Sequence, residues 1–170
     1  DCLSYLEYLP NVIKEINPSL IIIANKSTLY TTGGPQRGGV TIAKGNGNLV
    51  KTYDEAIQMW TDGLIEVVNS EPFALRNILV IQQVPPTIYE GQTLLKPKLG
   101  DSPFDLRLSA DRNELVKMEK SAINKYKHVH FYDPAVDLCP LDRCKTVVEE
   151  GRIYTDKYHL SPIGAIFLSD

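Results

Sequence analysis

Short apolar runs alternate with longer amphipathic stretches along this chain. The run Leu20–Ala24 is rich in β-branched residues and apolar on both faces, which is typical of a central parallel strand. Two further strands are predicted at 78–81 and 128–132. Helical spacing of apolar residues predicts helices at 3–16, with a break at Pro10, and at 53–68 and 111–126. This alternation predicts an α/β domain with a parallel sheet and helices on both faces.

A polar segment follows each predicted strand. Ligands of open parallel sheets bind beyond the carboxyl ends of the strands, so we expect residues 25–30, 82–86 and 133–159 at one edge of the sheet. A Gly-rich segment at 31–48 is predicted to be disordered or to form a substrate-binding excursion, and another excursion is predicted at 87–109. Since sheets of this class usually have about five strands, we expect the chain to be incomplete at its N-terminal side.

The composition is that of one globular domain spanning residues 1–170. The chain is 43% hydrophobic and has a formal net charge of −3, so it can bury a sizeable core and has no general attraction for nucleic acid. Its longest apolar run is too short to cross a bilayer, and no signal-peptide pattern opens it. The chain starts at Asp1 without an initiator methionine, so we expect a piece of a larger protein.

Three cysteines bear on the compartment. Cys139 and Cys144 lie five residues apart in a loop with a proline, a spacing that a disulfide can close and that would pin the segment leading to His159. A zinc site is the alternative, but it lacks a second Cys/His pair at ligand spacing. The disulfide predicts an oxidising compartment. Cys2 is either a free thiol or paired with a cysteine upstream of Asp1, and we favour the second interpretation.

The end of the chain places an acid three residues before a histidine. Ser161 suits the N-cap of a terminal helix and Pro162 its first position, so His159 is expected on the loop that leads into that helix. Asp156 could accept a hydrogen bond from one imidazole nitrogen and leave the other to take a proton from a nucleophilic hydroxyl. The pattern therefore predicts a general base and its orienting acid, without their nucleophile.

These residues resemble a known family. The ending Tyr154-x-Asp156-x-x-His159-Leu160-Ser161-x-x-Gly164-Ala165 is similar to the last block of SGNH/GDSL hydrolases. The Cys139/Cys144 pair, and the segment from Cys2 to Tyr30, extend the resemblance to one group of that family. This group is the extracytoplasmic SGNH domain fused behind the membrane acyltransferase-3 module of bacterial O-acyltransferases.

The resemblance implies a flavodoxin-like three-layer α/β/α sandwich and a set of site residues. It makes His159 the catalytic base and Asp156 its orienting acid, and it places the nucleophilic serine in a Gly-Asp-Ser turn upstream of this chain. It also supplies an upstream cysteine as the partner of Cys2. Asn25 occupies a position suited to the oxyanion-binding asparagine, although the usual Gly-x-Asn-Asp surroundings are absent here.

One Gly-Asp-Ser does occur, at 100–102, and its context argues against a nucleophile at Ser102. A nucleophile turn needs a buried strand before it and a helix directly after it. Here the sequence Lys96-Pro97-Lys98 precedes the motif and Pro103 follows it. Ser102 also comes after two predicted strands, whereas the family order places the nucleophile before the strand that ends at Asn25.

Other candidate residues have simpler structural interpretations. His128 and His130 alternate along a predicted strand and are expected to be packing or edge residues rather than ligands. Trp60 lies on an amphipathic helix and is expected in the core.

The resemblance predicts an enzyme domain that moves an acyl group, often acetyl, to or from a hydroxyl of a cell-envelope glycan, without metal or organic cofactor. The acyl donor and the glycan are its expected partners, with no nucleic acid. The domain is expected outside the bacterial cell membrane, fused to a membrane module, and inactive as this fragment alone. The alternative is a non-catalytic glycan- or partner-binding domain on the same fold. A self-contained esterase that uses Ser102 is a third, weaker hypothesis.

Overall fold

The computed structural model describes residues 2–24, 50, 52–86, 101–103, 106–156 and 158–169. The chain forms two compact units. The first unit comprises Asp1–Gln82 and Leu115–Tyr132, and the second comprises Gln83–Glu114 and Asp133–Asp170. Within the described residues, no helix is both long and apolar enough to span a membrane.

The first unit contains a parallel three-stranded sheet. Its strands are β1 (Leu20–Ala24), β2 (Asn77–Ile81) and β4 (Val129–Tyr132), in the order β1–β2–β4. Residues at matching positions of the three strands lie side by side, since Ile22 pairs with Leu79 and Leu79 with His130. The helices are α1 (Cys2–Ile16), α2 (Tyr53–Asn69) and α3 (Leu106–Ile123), and α3 continues into this unit from the second one. The predicted α/β class with a parallel sheet is confirmed.

One face of this sheet carries the core of the first unit. All three helices pack buried side chains onto that face, together with the central strand β2 and the short 3-10 helix Phe73–Leu75; the buried members are Ile13, Leu64, Val68, Phe73, Ile78, Val80 and Ile123. The opposite face of β1 is different, since Leu20 is 46% and Ile22 57% exposed. Within the described residues, β1 has β2 as its single neighbour in the sheet.

Two helix boundaries differ from the prediction. Helix α1 is continuous through Pro10, where a break was predicted. Buried Ile13 and half-buried Leu9 lie on either side of this proline and both pack into the core, which compensates for the hydrogen bond that proline cannot donate. Helix α3 begins at Leu106, five residues earlier than predicted, and ends at Ile123 rather than at Tyr126.

The second unit is built from short elements that periodicity does not reveal. Strand β3 (Asp101–Pro103) pairs antiparallel with β5 (Arg143–Lys145), and β6 (Val147–Val148) pairs with β7 (Gly151–Arg152). Two short helices complete it, α4 (Ala135–Leu138) and α5 (Pro162–Phe167), with a 3-10 turn at Pro140–Asp142. Its core contains Leu138, Cys139, Cys144, Ile153 and Tyr154.

Candidate active site

The predicted acid and base lie on one tight loop of the second unit. Tyr154 and Leu160 form an antiparallel bridge at its base, and the Thr155 amide donates to the His159 carbonyl at 2.8 Å. The Thr155 hydroxyl donates to the Leu160 carbonyl at 3.3 Å. Both ends of the loop are therefore tied together by backbone contacts, and Asp156 and His159 lie within it.

Asp156 organises the loop as a hydrogen-bond acceptor. Its Oδ1 accepts from the backbone amides of Tyr158 at 2.7 Å and His159 at 2.9 Å. The His159 ring nitrogen Nδ1 lies 2.9 Å from Oδ1 and 2.8 Å from Oδ2. Because a carboxylate can only accept, Nδ1 carries the proton and Nε2 is the nitrogen with the lone pair. The predicted hydrogen bond between the two side chains is confirmed.

The electrostatics of the pair keep Asp156 ionised. The hydrogen bond from the Tyr158 amide, followed by that from the His159 ring, holds the pKa of the Asp156 carboxyl below its usual value. The pair is open to solvent, with His159 73% and Asp156 46% exposed. Among the described residues, the His159 ring has hydrogen bonds at Nδ1 only. The geometry suits an imidazole that accepts a proton at Nε2.

Helix α5 fixes the far side of the loop, as the Ser161-Pro162 sequence predicts. Ser161 is the N-cap, because its hydroxyl accepts from the Gly164 amide at 3.1 Å, and its own amide donates to the Ile153 carbonyl at 2.8 Å. The same hydroxyl donates to the carbonyl of Arg152. Gly164 lies against the Ile153 backbone, so that a Cβ at this position would overlap the Ile153 carbonyl group. A glycine is required there by close approach.

A disulfide packs in one cluster with Tyr154, the residue at which the loop starts. Cys139 and Cys144 are joined, which confirms the predicted pairing over the zinc alternative. Both cysteines are buried in the same cluster as Tyr154, which is 1% exposed. Burial raises the pKa of the Tyr154 phenol, and the charge of Arg112 opposes that effect in part. The Tyr154 hydroxyl has no hydrogen-bond partner within the described part of the chain.

A buried ion pair in this unit was missed by the sequence analysis. Arg112, on α3, is 1% exposed. Its Nε and Nη2 donate to the Gln83 carbonyl at 3.0 and 2.8 Å, and its guanidinium pairs with Asp133. Gln83 and Asp133 follow strands β2 and β4, so one side chain holds the segments after both strands. An arginine on a helix of low apolar character gives no sequence signal that separates it from the exposed lysines nearby.

Ser102, a further candidate from the sequence, has no described contact with this loop. Ser102 lies within strand β3, opposite Cys144, and not in a turn between a parallel strand and a helix. Asn25 lies outside the described residues, and so does the side chain of Cys2.

The other sequence candidates lie in the first unit. His128 Nε2 is 3.0 Å from the Val68 carbonyl, and His130 is exposed on β4. Trp60 donates to buried Glu119, which also accepts from the Gln82 side chain. Glu119 had no sequence signal, because its partners are distant along the chain. Over the described ranges, no cluster of three or more His, Cys, Asp or Glu side chains could hold a metal ion.

Comparison with known proteins identifies what this chain resembles. A family model described as "SGNH domain (fused to AT3 domains)" matches residues 3–170 and so spans both units. Among solved structures, the periplasmic domain of a lipopolysaccharide acetyltransferase from Salmonella ser. Paratyphi A has a similar fold, with a TM-score of 0.58 and 18% sequence identity. The match covers 94% of this chain and 57% of that one. No curated protein matches the sequence significantly.

Proposed function

Because this chain belongs to the family of SGNH domains that are fused to AT3 domains, we propose that it is the acid/base part of an O-acyltransferase or esterase. The reaction is transfer of an acyl group, acetyl in the first instance, to a hydroxyl of a cell-envelope glycan. The observation that carries the proposal is the Asp156–His159 pair, in which an ionised carboxylate fixes the imidazole with Nε2 available as a base.

In the proposed reaction, a serine hydroxyl attacks the acyl carbonyl of the donor. The serine proton moves to His159 Nε2 as the new C–O bond forms, and Asp156 stabilises the resulting imidazolium. The imidazolium then protonates the leaving group, which leaves an acyl-serine. A glycan hydroxyl attacks this ester while Nε2 takes its proton, and the serine leaves with that proton. Asn25 is the proposed side-chain donor to the oxyanion, a contact worth about 3 kcal/mol.

The nucleophilic serine is proposed to lie on a segment of the parent protein outside residues 1–170. Two features support this. The His159 ring is 73% exposed, so a further segment or substrate can cover it. Among the described residues, strand β1 pairs with β2 alone, so its other edge can accept another parallel strand. A turn at the end of such a strand is where nucleophilic serines of open parallel sheets lie.

The proposed setting is the extracytoplasmic side of the bacterial membrane, with the domain fused to an acyltransferase-3 membrane module. The family description supports the fusion. The Cys139–Cys144 disulfide supports an oxidising compartment, because such bonds are rare in the reducing cytosol.

The test uses the parent protein with its N-terminal segment. Wild-type protein should react with a fluorophosphonate probe and hydrolyse an aryl acetate, and it should transfer acetyl to an envelope glycan. His159→Ala should abolish these reactions, whereas His130→Ala, an exposed histidine of the other unit, should retain them. Absence of serine-dependent activity in the folded wild-type parent would contradict the proposal, and so would full activity in His159→Ala.

A further inference from the structure

The buried arginine of the second unit holds two segments at once. Arg112 makes two hydrogen bonds to the Gln83 carbonyl and an ion pair with Asp133. Burying a guanidinium is costly unless its donors are satisfied, and well-packed apolar residues often replace such pairs without loss of stability. The presence of this ion pair therefore does not by itself show that it stabilises the fold. Its contacts with the rest of the unit indicate a different role.

Asp133 connects the ion pair to the disulfide through two hydrogen bonds of α4. Its Oδ1 also accepts from the Ala135 amide at 2.9 Å, which fixes the first turn of α4. The Cys139 amide donates to the Ala135 carbonyl at 3.0 Å, so this turn leads directly into the disulfide. Moving the Asp133 carboxylate would therefore move α4, the helix that ends directly before Cys139.

Tyr154 links the disulfide cluster to the loop that carries Asp156 and His159. Its ring packs in the cluster that contains Leu138 and both disulfide cysteines. Its backbone pairs with Leu160, directly after His159. The contacts thus run without a gap from the ion pair to the loop.

We propose that Arg112 is a positioning residue for the Asp156–His159 pair and acts through Asp133, the disulfide cluster and Tyr154. Its role is to hold the base of the loop so that Asp156 faces His159 Nδ1 and the imidazole keeps Nε2 unprotonated. The expected effect on catalysis rests on the proposed function, whereas the expected effect on the His159 tautomer does not.

A pair of variants separates positioning from stability. Arg112→Met alone leaves the Asp133 charge without its partner and should destabilise the unit, so the deciding variant is Arg112→Met/Asp133→Asn. This double variant removes both charges and retains an oxygen that can accept from the Ala135 amide. Arg112→Lys keeps the charge but cannot reproduce the forked contacts to Gln83 and Asp133. Arg143→Met, at an exposed arginine of β5, is the matched control.

The first readout is the tautomer of His159, measured from its two ring-nitrogen chemical shifts at alkaline pH. Wild type and Arg143→Met should show the Nδ1-protonated form. The folded double variant should show a mixture with the Nε2-protonated form, and Arg112→Lys should lie between them. An unchanged Nδ1-protonated ring in the folded double variant would overturn the proposal.

The second readout is activity of the parent protein. We expect the double variant to lose up to about 100-fold in kcat with little change in KM, because displaced catalytic groups lower the rate more than substrate binding. Wild-type kcat in the folded double variant would also overturn the positioning role. If wild-type parent is inactive while the tautomer shifts as expected, the proposed function fails and the positioning role stands.

Discussion

The Asp156 carboxylate contacts His159 at two points. The His159 backbone amide donates to Oδ1 at 2.9 Å, and the His159 ring nitrogen Nδ1 lies 2.9 Å from Oδ1 and 2.8 Å from Oδ2. The residue that orients the imidazole therefore also shapes the turn on which the imidazole lies. Because both contacts come from a carboxylate three residues away, the chain itself keeps the two side chains close, and their mutual orientation depends on how the base of the loop is held. The remainder of the unit has to position this turn as a whole.

Asp156→Asn in the parent protein should abolish most activity while retaining the loop. The Asn side-chain oxygen can still accept from the Tyr158 and His159 amides, but its NH₂ group then faces Nδ1 and favours the wrong tautomer. We expect kcat to fall by about 10³ to 10⁴-fold. Steady-state hydrolysis of an aryl acetate measures this, with Glu150→Gln, an exposed carboxylate in the β6–β7 turn, as control. Equal loss in both variants would contradict the assignment.

The same substitution predicts a pH dependence of stability. The pKa of Asp156 is lowered in the folded state, first by the Tyr158 amide and then by the His159 ring. Its charge therefore stabilises the fold above the unfolded pKa of about 4, and this contribution disappears as the pH falls through the lower folded value. Wild type should melt above Asp156→Asn at neutral pH, and the two should converge in acid. The effect is small because the carboxylate is 46% exposed. A melting difference that stays constant into strong acid would contradict this origin.

The local parts of the site could be predicted from sequence. Asp156 and His159 are three residues apart, and the Ser161 cap contacts Gly164 three residues on, so each feature is contained in a short window of the chain. The disulfide was predictable for the same reason, since Cys139 and Cys144 are separated by five positions.

The supporting contacts could not be predicted in this way. Arg112 meets Asp133 and Gln83, which are 21 and 29 residues away, and the sequence does not reveal which charged residue of α3 turns inward. Strands of two or three residues, such as β6 and β5, are too short to show alternation. The close approach of Gly164 to Ile153 likewise depends on how α5 packs, which the glycine alone does not indicate.

Tyr154→Phe should leave the fold intact and stabilise it slightly. The Tyr154 hydroxyl is buried and has no partner among the described residues, so its removal relieves a desolvation cost, with a gain of about 1 kcal/mol. Tyr126→Phe is the matched control, because the Tyr126 hydroxyl accepts from the Asn69 side chain at 2.7 Å and its loss should not stabilise. Urea denaturation of both variants measures the difference. A loss of stability in Tyr154→Phe greater than that in Tyr126→Phe would show that the hydroxyl has a partner, such as an internal water.

Gly164→Ala should destabilise the second unit and displace the terminal helix. The new Cβ would overlap the Ile153 carbonyl, which is backbone and cannot rotate away, and Ile153 directly precedes the loop that begins at Tyr154. We expect a loss of about 1–3 kcal/mol, the usual cost of overpacking, together with lower activity of the parent protein. The matched control is Gly63→Ala in α2, where nothing lies within 4 Å of the added carbon. That substitution should stabilise by about 0.4–1 kcal/mol, because alanine is the better helix former. A melting temperature that falls in Gly164→Ala and rises in Gly63→Ala would support the packing of α5 against Ile153, whereas equal shifts in melting temperature would contradict it.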